Sequence, residues 1–287
     1  MKLVHCQGAT NRIVLKLLDF DPSLKNLSKL SSLDLSSITN IPLKKATLLL
    51  KQFHQINSYN LIQMYERKQI SLISILDSRY PPYLRHISNP PVVLFCKGDL
   101  SILQNKRMIS VVGTRKASKY GYQIVQYIVK PLVNENWVII SGLARGIDTF
   151  AHRVAASEKG RTIAVIAGGF DHLYPKENQN LAKMISTKHL LISTYPPYMK
   201  PERWMFPERN RIISGLSLGT LVVQASKKSG SLITAQFALE QGREVFTVPA
   251  SVLSDDFSGN IDLIRDGATI VSSYKDITEC LMPIIEE

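Results

Sequence analysis

From Met108 onward the chain repeats one alternation, a short β-branched run followed by 10 to 15 residues of helical patterning and then another run. Seven runs carry it: MISVVG, WVIISG, TIAVIAGG, LLIST, TLVVQA, EVFTVPA and ATIVSS. Strands joined through helices pair in parallel, and strands covered on both faces read as continuous apolar stretches. The alternation therefore dictates an α/β fold with a doubly wound, mostly parallel sheet and right-handed crossovers. Helices are expected over Lys119 to Asn134, Ile147 to Glu158, Lys176 to Thr187, Asn210 to Leu216 and Ser231 to Gln241. After the last run the chain is expected to end in a short acidic tail, without room for a further domain.

Residues 1–75 read differently. They are rich in Leu, Ser and Lys, with apolar positions at helical spacing in Ile13, Leu17 and Leu18 and again in Leu48, Leu49, Phe53 and Ile56. A small helical domain is expected there, with residues 76–287 forming the sheet domain. Four prolines between Tyr80 and Pro91 interrupt helix and strand alike, which makes that stretch an ordered connector.

At 45% hydrophobic and 20% charged residues, the chain has the apolar content for an extensive core, and wholesale disorder is excluded. No apolar run approaches the length of a membrane span, and the N-terminus lacks the pattern of a secretory signal, so a cytoplasmic protein is expected. Cys6, Cys96 and Cys280 are odd in number and far apart, which suits buried thiols and neither a disulfide framework nor a metal clamp. The six histidines never fall into HxxxH or HxxH spacing, so neither metal nor cofactor is expected. The net charge of +12 points to an anionic partner.

In a sheet of this kind ligands sit beyond the carboxyl ends of the strands, so the residues after each run are the informative ones. The first run leads into Gly113, Thr114 and Arg115, and the second into Ser141, Gly142, Arg145 and Gly146. Glycine lets backbone approach an anion, a helix N-terminus offers free N–H groups, and arginine adds a two-pronged donor for phosphate oxygens. Lys176 opens a helix after the third run; Arg209, Asn210 and Arg211 place two guanidiniums and an amide at the start of another, with Trp204 and Phe206 just upstream. Ser229, Gly230 and Ser231 follow Lys227 and Lys228 after the fifth run, as a third anion nest.

Each feature alone is commonplace: a Gly-Thr-Arg turn occurs in many α/β proteins, Asp148 reads as a helix cap, His152 as a packed core histidine, and Trp204 or Phe206 as core. Their convergence on one rim of one sheet is what suggests a polyanion, since a mononucleotide needs one phosphate nest and a nucleic-acid strand needs several in register. No GxxxxGK[ST] loop is present for a triphosphate-driven motor.

The segments VVGTRKASKYG, IISGLARGIDTFAH, GRTIAVIAGGFDHLYPKEN, FPERNRIISGLS and SGSLITAQFALEQGREVFTVPA resemble those of the DNA-processing protein A family (DprA/Smf), in family order over about residues 80–270. The resemblance implies an extended Rossmann-like domain preceded by a helical domain similar to a sterile-alpha-motif fold, and a homodimer. It implies a non-enzymatic protein that binds single-stranded DNA and loads RecA recombinase onto it during natural transformation. Carried over by position, the phosphate-binding residues are Gly113 to Arg115 and Ser141 to Gly146, completed by Lys176, Asn210, Arg211 and Ser229 to Ser231. A C-terminal winged-helix domain found in some members is not expected. The sequence departs from the family pattern at Thr194, Gln224 and Ala250, the first two of which replace carboxylates near the pocket.

The rival reading is a nucleotide-processing enzyme of the phosphoribohydrolase type on a related fold. Its Pro-Gly-Gly-x-Gly-Thr-x-x-Glu signature is missing, and a lone Asp148 or Asp171 makes a poor acid/base set.

Overall fold

The computed structural model describes residues 1–251 and 253–286; Val252 and Glu287, both within the 76–287 stretch, lie outside the described residues. Four helices come first, α1 (Asn11–Phe20), α2 (Ser32–Thr39), α3 (Leu43–Gln55) and α4 (Ser58–Arg67). Their starts follow side-chain chemistry: Thr10 accepts from the Ile13 N–H, Ser31 and Asp34 form a reciprocal capping box, and Asn57 accepts from the N–H groups of Tyr59 and Asn60. α1 buries Ile13, Val14 and Leu17, and α3 buries Ala46, Leu49 and Leu50. Leu49, Phe53 and Ile56 of the helically spaced set pack into this core, while Leu48 is exposed.

The remainder runs β1 (Ser71–Ser74), α5 (Pro82–Arg85), β2 (Val93–Gly98), β3 (Met108–Val112), α6 (Lys119–Asn134), β4 (Val138–Ser141), α7 (Ile147–Ser157), β5 (Thr162–Val165), α8 (Gln179–Lys188), β6 (Leu190–Ser193), α9 (Met205–Gly215), β7 (Gly219–Val222), α10 (Gly230–Glu240), β8 (Glu244–Thr247), α11 (Ser258–Arg265), β9 (Thr269–Ile270) and α12 (Tyr274–Glu286). Among the described residues the nine strands form one sheet in the order β1-β2-β6-β5-β4-β3-β7-β8-β9. β3 to β9 pair in parallel, as the alternation requires, in registers such as Ile109 opposite both Ile139 and Gly219. The described fold is α/β with a mostly parallel, doubly wound sheet.

Three features depart from the sequence reading. β1 and β2 extend the sheet antiparallel beyond β6, with Ser71 to Ser74 lying inside the stretch read as helical and β2 directly after the proline connector. α9 begins at Met205, so Asn210 and Arg211 sit in its second turn rather than at its start. Of the acidic tail, Glu286 ends α12, whose Ile277 and Leu281 are buried, and Glu287 lies outside the described residues.

Every residue of β3, β4, β5, β6 and β7 is buried. One face packs Ile140, Ile163 and Val222 under α5, α9, α10 and α11. The other packs Ile109, Ile139 and Val111 under α6, α7 and α12, with α8 covering Ala164 and Leu191. On α6, Ile124, Val125, Ile128, Val129 and Leu132 recur at helical spacing, each contributing about 1.5–3 kcal/mol on full burial. The N-terminal core continues into Val93 and Phe95 of β2 and touches Phe170 after β5. Two polar contacts fasten the same junction: Lys68 pairs with Asp171 at 2.5 Å, and the His5 ring sits 2.5 Å from the Tyr65 hydroxyl and 3.1 Å from that of Tyr198.

His152 on α7 is fully buried, its Nδ1 2.7 Å from Thr162 Oγ1, whose own hydrogen goes to the Ile139 carbonyl. That arrangement puts the ring proton on Nδ1 and leaves Nε2 buried without a partner. Burial pushes the imidazole down to about 3, and also lowers His5 to about 4. A folded-state value below the unfolded one means that the unfolded chain binds the proton first as pH falls. Stability is therefore full above the ordinary histidine value and lost below it. Urea unfolding should show about 2 kcal/mol less stability from His152 alone at about pH 5 than at about pH 7.5, a difference that His152→Gln removes. An equal pH dependence in the variant would contradict a neutral buried imidazole.

Candidate functional site

The strand order changes direction at β3: its crossover leads to β4 on one side, while β7 lies on the other side and leads to β8. Loops leaving two adjacent strands in opposite directions open a crevice at the carboxyl edge. Here that crevice is a cleft of about 430 Å³, lined by Gly113, Thr114 and Arg115 after β3, Phe206, Arg209 and Asn210 of α9, and Lys228 to Ser231 before and at the start of α10. An adjoining pocket of about 190 Å³ shares Arg115, Ala144, Phe206 and Arg209 with it and adds Lys116, Gly142, Arg145, Tyr174 and Pro175.

The loop after β4 is held from below. Asp148, in the first turn of α7, accepts the Gly142 N–H at 3.1 Å and the Ala144 N–H at 3.3 Å. It therefore caps the preceding loop rather than the start of its own helix. Arg209 reaches under the loop from α9, its Nη1 3.6 Å from Asp148 Oδ2, with both side chains only 6% exposed. A Cβ at Gly142 would overlap the Arg209 guanidinium, so any larger residue there displaces the buried pair. Burial pushes the Asp148 carboxyl above the usual carboxylate range, against the opposing pull of Arg209 and the two amides. Asn178, also buried, donates to the carbonyls of Leu143 and Ala144 at 2.8 and 3.3 Å, and Thr149 Oγ1 donates to Ala144 at 2.6 Å.

The loop after β3 leans on the same support. Gly146, at φ +72°, leaves no space for a Cβ against the Thr114 and Arg115 backbone. Across the sheet the Gln224 carbonyl accepts the Thr114 N–H at 2.7 Å, and its side-chain oxygen accepts from the Ser118 N–H and hydroxyl at 3.0 and 3.1 Å. The departure at Gln224 thus supplies a neutral acceptor that fixes the start of α6. On the third loop, Ser229 caps α10 and Asn210 Nδ2 donates to the Gly230 carbonyl at 3.2 Å.

Of the residues expected at the site, Gly113, Thr114, Arg115, Asn210, Ser229, Gly230 and Ser231 line the cleft, and Gly142 and Arg145 line the adjoining pocket. Ser141 is buried beneath, its hydroxyl donating to the Val111 carbonyl at 2.7 Å. Arg145 is paired with Glu177. Lys176 is exposed just past Pro175, outside both linings. Arg211 points away: it donates to the Ser88 carbonyl at 2.6 Å and to Glu208 at 3.1 Å. Two residues of one helix separated by a single position face nearly opposite sides, so Arg209 and Arg211 cannot serve one cleft.

Phe206, Tyr174, Lys116, Lys228 and Arg209 line these cavities as well, beyond the residues carried over by position from the family. Phe206 meets Tyr174 edge-on at 5.8 Å and lies under the Arg115 guanidinium at 5.9 Å, which makes an apolar wall beside a cation. Trp204 is instead exposed, bound to Glu202 and packed against Tyr195, and lines neither cavity. Asp148 is the one carboxylate among the described lining residues, and it is committed to Arg209 and the loop amides. The arrangement offers anion-binding backbone, an aromatic wall and, in Arg115, Lys116 and Lys228, cations that form no ion pair among the described residues.

The family model described as DNA recombination-mediator protein A matches residues 71–282. The chain is 46% identical to DNA processing protein DprA of Bacillus subtilis, over 93% of this chain and 89% of that one, and 40% identical to DprA of Streptococcus pneumoniae, over 94% and 93%. The X-ray structure of the S. pneumoniae protein superposes with a TM-score of 0.86 at 38% identity, covering 96% of this chain and 95% of the other. A second structure, describing the single-stranded DNA binding mode of DNA processing protein A from Helicobacter pylori, gives a TM-score of 0.68 at 26% identity, over 75% and 97%. The chain belongs to the DNA recombination-mediator protein A family, the DprA/Smf proteins.

Proposed function

We propose that the cleft binds single-stranded DNA without sequence preference, and that the protein delivers the strand to RecA recombinase as a non-catalytic mediator. The observation that carries the DNA reading is the convergence of three Gly-containing loops on the crevice beside β3, where Arg115 lies over the Phe206 ring and Lys228 lines the same cleft, neither in an ion pair among the described residues. Phosphates would sit on the loop amides and cations while a base stacks on the aromatic wall, which double-stranded DNA does not expose. The described single-strand binding of the H. pylori relative supports this reading. The RecA step and the homodimer rest on the family resemblance, the cytoplasmic location on the sequence features given above, and the division into a helical domain at residues 1–75 and a sheet domain at 76–287 on the change of patterning there, with β1 (Ser71–Ser74) already part of the sheet.

Fluorescence anisotropy with a labelled oligo-dT strand and the matching duplex tests the DNA reading. Neutralising about four phosphates gives a log–log salt slope near −3 for a single strand. Arg115→Ala should weaken binding about tenfold or more while leaving thermal unfolding unchanged. A flat salt response, or equal affinity in the variant, would reject the cleft.

The buried pair makes a separate prediction. Asp148→Asn strands the Arg209 guanidinium and should cost about 3–5 kcal/mol in urea unfolding, besides weakening DNA binding through the loop it holds. Unaltered stability would mean that the pair does not support the site.

A further inference from the structure

A groove of about 560 Å³ lies on the face of the sheet covered by α6 and α7, between those two helices. Its near end is formed by Ala117, Ser118 and Lys119, the continuation of the loop whose first residues, Gly113 to Arg115, line the cleft. Along it stand Tyr122 of α6 and Phe150 of α7, with ring centroids 4.8 Å apart at 69°, and Arg153 one turn beyond. Tyr122 is exposed, its hydroxyl held at 2.9 Å by Gln126, and Phe150 is half-buried, so the pair presents ring surface to solvent on a fixed footing.

The exposed charge on the two helices that form this groove has one sign. α6 contains no carboxylate, and the one carboxylate within α7, Asp148, is buried against Arg209. Glu158, at the far end of α7, is paired with Lys130. Lys116, Lys119 and Arg153 are exposed and, among the described residues, form no ion pair. Together with Arg115 they make a basic track from the cleft, over the loop, into the groove.

We infer that the α6–α7 groove is a second nucleic-acid subsite, in which a strand leaving the cleft continues with phosphates on Lys119 and Arg153 and a base against Tyr122 and Phe150. The inference rests on the cleft reading and extends the strand's path to the face of the sheet covered by α6 and α7. Continuity with the cleft and the absence of competing carboxylates favour a nucleic acid over a protein partner.

Binding of oligo-dT strands of about six and about twenty nucleotides, measured by anisotropy at two salt concentrations, separates the two sites. In the wild type the longer strand should bind more tightly. Lys119→Ala/Arg153→Ala should bind the short strand as the wild type does, lose about tenfold on the long strand, and show a salt slope shallower by about 1.4. Tyr122→Ala should lose affinity for the long strand alone. A photoreactive base placed several nucleotides beyond the cleft-bound segment should cross-link to Tyr122 or Phe150. Equal affinity of both variants and wild type for the long strand would overturn the subsite. The same result with weakened binding of a polyglutamate peptide would assign the groove to an acidic protein instead. Loss of short-strand binding in Arg115→Ala is the separate control: its absence would discredit the cleft and leave the groove to be judged by the cross-link.

Discussion

The buried contact of Arg209 with Asp148 joins parts of the chain that the sheet alone does not fix to one another. Asp148 holds the loop after β4 through two backbone amides, Arg209 lies directly under Gly142, and Gly146 at the end of that loop presses on the backbone of Thr114 and Arg115. The β3 and β4 loops and helix α9 are therefore one mechanical unit. Two charges taken out of water stabilise little in net terms, and their value lies in geometry: either partner alone would be an unpaired buried charge, so the loop has one acceptable position. Backbone amides held in this way meet an anion without having to be ordered first.

The parallel part of the sheet was legible from the sequence because strands buried on both faces leave a plain signature, and all seven runs became strands. The crevice was legible for the same reason, since glycine and hydroxyl residues at strand ends mark places where backbone is close to a ligand or to another loop. β2 was hidden by position: VVLFCKG follows two prolines and has no crossover helix, so nothing in the α/β rhythm announces it. α9 was placed too late because Pro207 falls three positions into the helix, within a first turn whose N–H groups have no helical partner in any case.

The site was less legible than the fold. Gly113 to Arg115 and Ser229 to Ser231 announce themselves by composition, whereas the distinction between Arg209 and Arg211 depends on helix phase. Counting from a correct start, Arg209 faces the sheet and the loop above it, and Arg211 faces the connector at Ser88. Gln224 shows the complementary case. A departure from the family pattern looked like a lost carboxylate, yet its amide oxygen now accepts from Ser118 and fixes the turn between the cleft and α6. The N-terminal helices take part in the same economy, since their core runs into β2 and their ends reach Asp171 and Tyr198 on the loops after β5 and β6.

A direct map of where the strand lies tests the central claim, that the crevice beside β3 is a single-strand site built on this buried pair. Photocross-linking of a bromodeoxyuridine-substituted strand, read out by peptide mass spectrometry, reports the residues against the bases. The account predicts adducts at Phe206 and Tyr174, lost when Arg115 is replaced by alanine. Adducts confined to the N-terminal helices or to α11 and α12, with the cleft aromatics unmodified, would contradict it.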